Sequence, residues 1–165
     1  RKLDYTKEIL IPKKNAAGAD GYDVINPLYC YEGGKVSFKE LFNDGDPVKI
    51  ERSAVIINRG WIPANLRDKK YRPTEVNSGA RQGQGSIQAG KDIHDYKVPN
   101  NPDNNEWHNL ALEDIGIFWD LPNWDEAKYY YFHAIDFEDG SNNFQAESGV
   151  KAITKDELVE DHYKW

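Results

Sequence analysis

The chain has 165 residues, of which 39% are hydrophobic and 13% aromatic, and this is enough for one folded domain over residues 1–165. Its 21 Lys and Arg residues face 28 Asp and Glu residues, so the formal net charge is −7. A negative net charge argues against nucleic acid as the main partner, because binding to phosphates requires a positive field. The single cysteine, Cys30, excludes an internal disulfide and a zinc site built from cysteines.

Strands dominate the predicted elements. Runs of β-branched, aromatic and alternating apolar residues predict strands over residues 4–12, 22–31, 52–58, 85–93 and 128–137. Loops rich in Gly, Asn, Asp and Pro separate these runs. The last strand carries aromatic side chains on both faces, which predicts a central position in the sheet.

Short helices are predicted between and after the strands. Residues 37–40 and 154–157 have the pattern of a capping box, in which a Ser or Thr precedes a Glu by three positions. The helix expected over residues 109–118 has Leu112, Ile115 and either Phe118 or Trp119 at helical spacing. Together these elements predict a mainly β (α+β) fold, namely an antiparallel, barrel-like sheet with a few short helices.

The stretch Asn-Arg-Gly-Trp-Ile-Pro at residues 58–63 directly follows an apolar strand. Gly60 permits a sharp turn of the backbone, Trp61 is a large anchor, and Pro63 has no N–H for a further ladder bond. Because Arg59 follows apolar residues, we expect its stem to be buried and its guanidinium to need a carboxylate or carbonyl partner. Alternatively, Arg59 and Trp61 contribute to a partner-facing surface, since both residue types are enriched among binding hot spots.

The string from Asn58 to Pro63 resembles the Asn-Arg-Gly-Trp-Val-Pro signature of the surfeit locus protein 1 family. Weaker similarities occur in the family's order at residues 4–11, 21–28 and 85–90, and in a loop that ends at Trp107 and His108. Proteins of this family act in the assembly of mitochondrial and bacterial cytochrome c oxidase. The chain is therefore similar to a family of oxidase assembly factors.

The resemblance implies a non-catalytic assembly factor or accessory subunit of mitochondrial cytochrome c oxidase, the respiratory complex IV. It implies protein–protein contacts with oxidase subunits and other respiratory-chain proteins on the intermembrane-space side of the mitochondrial inner membrane. The usual members carry a transmembrane helix on each side of a soluble domain, whereas this sequence has no run of about 18 apolar residues. Membrane association is therefore expected through partners or through spans absent from this chain.

Motifs for catalysis and for metal binding are missing from the sequence. It contains no Gly-x-Ser-x-Gly, no Walker-type glycine loop and no dinucleotide-type glycine loop, so we do not expect an enzyme. The histidines lack metal-ligand spacing, and residues 136–140 resemble a calcium loop without a Glu at its twelfth position. Neither a metal nor a cofactor is expected, apart from the haem considered next.

Two alternative functions place aromatic and imidazole side chains in binding roles. Bacterial members of the family are connected with haem a delivery, so His108 and His162 are candidate ligands of a haem a-binding chaperone. Independently of the resemblance, a carbohydrate-binding β module would expose several of Trp107, Trp119 and Trp124 in one row. The simpler interpretation of Trp107 is that it holds its loop against the core.

Overall fold

The computed structural model describes residues 2–4, 6–31, 42–43, 46–47, 52–72, 85–136 and 153–154. Within these ranges lie nine strands: β1 (Lys2–Leu3), β2 (Ile9–Lys14), β3 (Asp20–Tyr31), β4 (Phe42–Asn43), β5 (Asp46–Pro47), β6 (Arg52–Pro63), β7 (Gly85–Ala89), β8 (Tyr130–Asp136) and β9 (Ile153–Thr154). They also include α1 (Leu112–Phe118), α2 (Trp124–Ala127) and 3₁₀ turns at Ala64–Leu66, Lys69–Tyr71, Ile93–Asp95 and Pro102–Asn104. The fold is mostly β with a few short helices, as the sequence predicts.

One mixed sheet organises these strands in the order β1-β3-β6-β8-β7. β2 also pairs with β3, β9 pairs with β8, and β4 and β5 form a separate two-stranded ladder. β6 lies between β3 and β8, which accounts for its nearly continuous run of buried apolar residues. β8 lies between β6 and β7, which confirms the central position predicted from its aromatic residues.

The prediction of an antiparallel sheet is wrong for the two pairs that β8 forms with β6 and with β9. β6 and β8 run parallel, with Ile57 opposite Phe132 and Asn58 opposite His133. A parallel pair requires a long crossover connection, and residues 64–129, which include both α-helices, provide it. Among the described residues, β1 and β2 do not pair with β7, so the sheet is open rather than a closed barrel.

Side chains from both α-helices cover one face of the sheet. Ala54 on β6 is tied to this layer, because the Asn123 amide accepts from its N–H at 2.8 Å and donates to its carbonyl oxygen at 3.0 Å. Val24 and Ile62 form a smaller core on the opposite face. The buried residues of the main core are Ile9, Ile11, Ile25, Ala54, Ile56, Trp107, Leu112, Ile115, Trp119, Leu121 and Ala127.

The predicted elements occur with shifted boundaries. The strand expected over residues 4–12 begins only at Ile9, because the Asp4 carboxylate binds the N–H and hydroxyl of Thr6 and forms a turn. The strand expected to end at residue 58 continues to Pro63. The helix expected over residues 109–118 is α1.

The remaining helix predictions fall largely outside the described residues. The predicted helix start at residues 37–40 lies there entirely. Of the second capping box, Thr154 belongs to β9, and residues 155–157 lie outside the described part of the chain.

Candidate functional site

The signature at residues 58–63 lies inside β6 and contains a β-bulge. Val24 pairs with Gly60 and Ile25 pairs with Asn58, so Arg59 is the extra residue of the bulge. Gly60 has a φ of 128°, a conformation that L side chains rarely adopt. The Asn58 Oδ1 atom accepts from the Gly60 N–H at 3.0 Å and so supports the bulge. The glycine therefore serves a bulge within the strand rather than the turn expected from the sequence.

The bulge places Arg59 in the interior, where its side chain is 0% exposed. Its Nη1 donates to Asn26 Oδ1 at 3.0 Å and lies 3.8 Å from Glu8 Oε2. Asn26 is itself buried, and its Nδ2 donates to the carbonyl oxygens of Asp4 and Lys7. The guanidinium thus has a carboxylate and an amide carbonyl as partners, in agreement with the expectation for Arg59.

Glu8 connects Arg59 to two further cations. Arg72 binds it in a bidentate manner, with Nη2 at 2.6 Å from Oε1 and Nη1 at 3.1 Å from Oε2, and Lys69 Nζ lies 3.9 Å from Oε2. The Glu8 side chain is 7% exposed. Charges buried this deeply need partners, because their desolvation is costly. We refer to Glu8, Asn26, Arg59, Lys69 and Arg72 as the Glu8 cluster.

Asn58 joins the signature to Asp23 on β3. Its Nδ2 donates to Asp23 Oδ2 at 3.2 Å, and Lys13 Nζ lies 3.8 Å from the same oxygen. Burial raises the pKa of the Asp23 carboxyl above its usual value of 3.8, although the Lys13 charge and the Asn58 hydrogen bond oppose this shift. The Asp23 carboxylate therefore joins β3 to Asn58 on β6, although its burial makes the charged form less favourable.

Trp61 lies across the sheet on its neighbouring strands. A Cβ added to Gly21 would come within 2.3 Å of the Trp61 ring, so the indole covers this glycine closely. The Trp61 Nε1 donates to the Lys13 carbonyl oxygen at 2.9 Å. Pro63 is the last residue of β6 and pairs with Gly21. The half-buried Trp61 side chain is therefore held by β2 and β3.

An open groove of about 700 Å³ lies beside the Glu8 cluster. Its walls come from residues 6–10, from residues 64–71, and from Asn105 and Trp107. The Arg67 guanidinium lies near this groove and over the Tyr22 ring, 5.4 Å from its centroid. No His is among the described residues that line the groove, and the Thr6 hydroxyl there donates to the Asp4 carboxylate.

Trp107 is buried in the main core and holds its loop there. Its Nε1 donates to Asn105 Oδ1 at 2.8 Å, and its ring meets Phe118 edge-on with centroids 5.2 Å apart. Trp119 is also buried, whereas Trp124 is partly exposed. The row of exposed tryptophans expected of a carbohydrate-binding module is therefore wrong, because two of the three indoles fill the core beneath the sheet.

Of the two candidate haem ligands, only His108 lies among the described residues. His108 is exposed at the end of the loop, where its backbone N–H donates to Asn100 Oδ1 at 2.7 Å. His162 lies outside the described residues. Within the described ranges, no group of three or more His, Cys, Asp and Glu side chains is arranged to hold a metal ion. Nor does any helix in those ranges have the length and hydrophobicity needed to span a bilayer.

The sequence interpretation missed Arg72, Asn26 and Asn100, which organise this region. Arg72 lies in a polar, basic stretch of the sequence in which nothing indicates a return to Glu8. Asn26 did carry a signal, because a lone amide within an apolar strand requires a buried hydrogen-bond partner. Asn100 accepts from the N–H groups of His108 and Asn109, a role that an Asn-rich loop hides among similar residues.

Comparison with known proteins places this geometry in a family. No curated protein matches the chain at a significant level. The model of the SURF1 family matches residues 2–164, which include the bulge, Glu8, Arg72 and the loop carrying Trp107. This match spans nearly the whole chain and contains the signature that resembles surfeit locus protein 1. The chain belongs to the SURF1 family.

Proposed function

We propose that this chain is a non-catalytic assembly factor or accessory subunit of mitochondrial cytochrome c oxidase. The observation that carries the proposal is the family match over residues 2–164, because the SURF1 family acts in cytochrome oxidase assembly. The proposed partners are oxidase subunits and other respiratory-chain proteins. The proposed location is the intermembrane-space side of the mitochondrial inner membrane, a membrane with which this family is associated.

We propose a structural role for the signature within this function. Arg59 is enclosed by Glu8 and Asn26, and the Trp61 indole lies on Gly21, so neither side chain projects freely towards a partner. Asn58, Gly60 and Pro63 shape the bulge and the end of its strand. Contact with partners would then fall to exposed surfaces elsewhere on the protein.

Purification of the native protein from mildly solubilised membranes tests the proposed function. Mass spectrometry identifies the co-purified proteins, and absorbance at the haem a wavelengths is recorded on the same sample. Stoichiometric oxidase subunits are expected for an accessory subunit, whereas substoichiometric amounts of incomplete oxidase are expected for an assembly factor. A sample free of oxidase proteins would contradict both versions.

The alternative proposal is a haem a-binding chaperone, for which the exposed His108 is a candidate ligand. Titration with haem would then produce a Soret band that His108→Ala or His162→Ala removes. His94→Ala is the matched control, because His94 is also exposed, in the 3₁₀ turn Ile93–Asp95. If no band forms with the unaltered protein, or if all three variants retain it, neither candidate histidine is a haem ligand.

A further inference from the structure

Three large apolar side chains are exposed on α1 and α2, close in the chain to the contact between the two helices. Ile117 is 55% exposed, Phe118 is 43% exposed and Trp124 is 38% exposed. On α1, Leu112 and Ile115 face the core, whereas Ile117 and Phe118 keep much of their surface exposed. Large apolar side chains exposed side by side, rather than singly, indicate an interaction surface.

The packing of the two helices brings the start of α2 against the turn of α1 that precedes Ile117 and Phe118. A Cβ added to Gly116 would lie 3.1 Å from Trp124 Cβ, so the start of α2 rests directly on this turn of α1. Ile117 and Phe118 are the next residues along α1, and the Phe118 ring is supported by Trp107. We refer to Ile117, Phe118 and Trp124 as the α1–α2 patch.

Acidic residues flank the α1–α2 patch along the chain. Residues 109–127 contain no Lys, Arg or His but five acidic residues, which are Glu113, Asp114, Asp120, Asp125 and Glu126. Helical spacing places Glu113 and Asp114 one turn before Ile117 and Phe118. Within the described part of the chain, no ion pair joins any of these five carboxylates to a cation. The Lys128 ammonium lies 6.0 Å from the Trp124 ring centroid, at the border of the patch.

We propose that the α1–α2 patch docks a partner protein through a surface that combines apolar side chains with Lys and Arg. An apolar centre that includes a Trp is typical of a binding hot spot, and an acidic rim attracts and orients a basic partner. The same rim repels anionic lipid headgroups and nucleic acid phosphates. The observations therefore favour a basic protein surface.

The identity of the partner rests on the proposed function, which implies an oxidase subunit or another protein of oxidase assembly. The position and chemistry of the surface do not rest on it, because they follow from exposure and charge alone. The position of the surface and the identity of the partner are therefore tested separately.

Photo-crosslinking tests the position of the docking surface. A benzophenone amino acid replaces Ile117 in the full chain, and a matched sample carries it at Ile87, which is 69% exposed on β7. After irradiation in native membranes, crosslinked peptides are sequenced. Position 117 is expected to crosslink one Lys- and Arg-containing peptide that position 87 does not reach. Equal crosslinking from both positions, or crosslinking of position 117 to lipid, would overturn the proposal.

Charge reversal tests the acidic rim. Asp125→Lys combined with Glu126→Lys is compared with Asp20→Lys, which reverses one exposed charge on the β2–β3 hairpin. The rim variant is expected to lose partner capture by at least about tenfold, and Asp20→Lys by less than about twofold. Ile117→Ser, compared with Ile87→Ser, provides a second measurement that leaves all charges in place. Equal capture by the rim variant, Ile117→Ser and their controls would contradict the proposal.

The unaltered chain separates the two levels of the inference. If it captures oxidase proteins and the patch variants capture them equally, the docking surface is wrong and the proposed function stands. If it captures no oxidase protein but position 117 still crosslinks a basic peptide of another protein, the surface stands and the proposed function fails. If neither occurs, both are overturned.

Discussion

Arg59 Nη1 and Glu8 Oε2 lie 3.8 Å apart in the interior, although Arg59 is the extra residue of a bulge in β6 and Glu8 precedes β2. The same carboxylate accepts two hydrogen bonds from Arg72, which follows the 3₁₀ turn Lys69–Tyr71. One acidic side chain therefore connects three segments that are distant in the sequence. Its loss should affect the whole fold rather than one loop.

Glu8→Gln keeps the shape of the side chain and removes its charge. We expect it to lower the free energy of unfolding by about 3–5 kcal/mol, because two buried guanidinium groups lose their shared carboxylate. Urea denaturation followed by tryptophan fluorescence measures this change. Asp68→Asn is the control, since the exposed Asp68–Lys70 pair at 3.7 Å should contribute less than about 1 kcal/mol. Similar losses in the two variants would contradict the importance of the Glu8 cluster.

We expect Trp61→Ala to lower stability and Trp124→Ala to reduce partner capture. Trp61→Ala uncovers Gly21 and removes the bond to the Lys13 carbonyl, so we expect a loss of about 2–4 kcal/mol in the free energy of unfolding. Partner capture by its folded fraction should be unchanged. Trp124→Ala should change stability little and reduce capture. Thermal denaturation and quantitative co-purification measure the two effects, and the reverse pattern would assign the interface to the signature.

The Asn123 side chain should be intolerant of substitution, because its amide both donates to and accepts from the backbone of Ala54. Asn123→Ala is expected to lower the free energy of unfolding by about 1–3 kcal/mol, since it leaves the N–H and the carbonyl of Ala54 without these bonds. Asn123→Asp should cost more, because it places a carboxylate against the Ala54 carbonyl oxygen. Asn104→Ala, at an exposed position of the Pro102–Asn104 turn, provides the control in urea denaturation.

Asp23→Asn should change how stability depends on pH. The folded state raises the pKa of this carboxyl, chiefly by burial, so the folded protein binds its proton more tightly than the unfolded chain does. The stability associated with this proton is present below the usual pKa of 3.8 and is lost as pH rises through the folded-state pKa. The free energy of unfolding of Asp23→Asn, relative to the unaltered protein, should therefore increase as pH rises from that value.

Urea denaturation at a series of pH values between 4 and 7 measures this difference. Asp20→Asn is the control, because it removes one carboxylate from the exposed start of the same strand. If the difference in the free energy of unfolding between Asp23→Asn and the unaltered protein does not increase with pH, folding does not raise the pKa of Asp23.

The strands were predictable because their composition is local information. Four β-branched or small apolar residues at positions 54–57 identify β6, and the aromatic run at positions 129–132 identifies β8 as central. Their parallel pairing was not predictable in the same way, because it depends on a crossover of residues 64–129. The bulge was also hidden, since a glycine after a strand has the same local pattern in a turn as in a bulge.

The candidate site was predictable only in part for the same reason. A buried Arg59 with an acidic partner followed from its position after an apolar run, but the sequence contains 28 acidic residues and does not indicate Glu8 among them. Trp107 was correctly interpreted as an anchor of its loop, because a Trp among turn-forming residues has few other ways to be buried. The α1–α2 patch escaped notice, since exposure depends on which helix face meets the sheet.

The parallel pairing of β6 and β8 has a consequence for the order of folding. β2 and β3 form a hairpin, and β6 pairs with β3, but β8 reaches β6 only after the crossover of residues 64–129 has closed. Until then one side of β6 is an open edge, and open edges of apolar strands are templates for aggregation. A partly folded chain should therefore associate with other chains through β6 before β8 has docked.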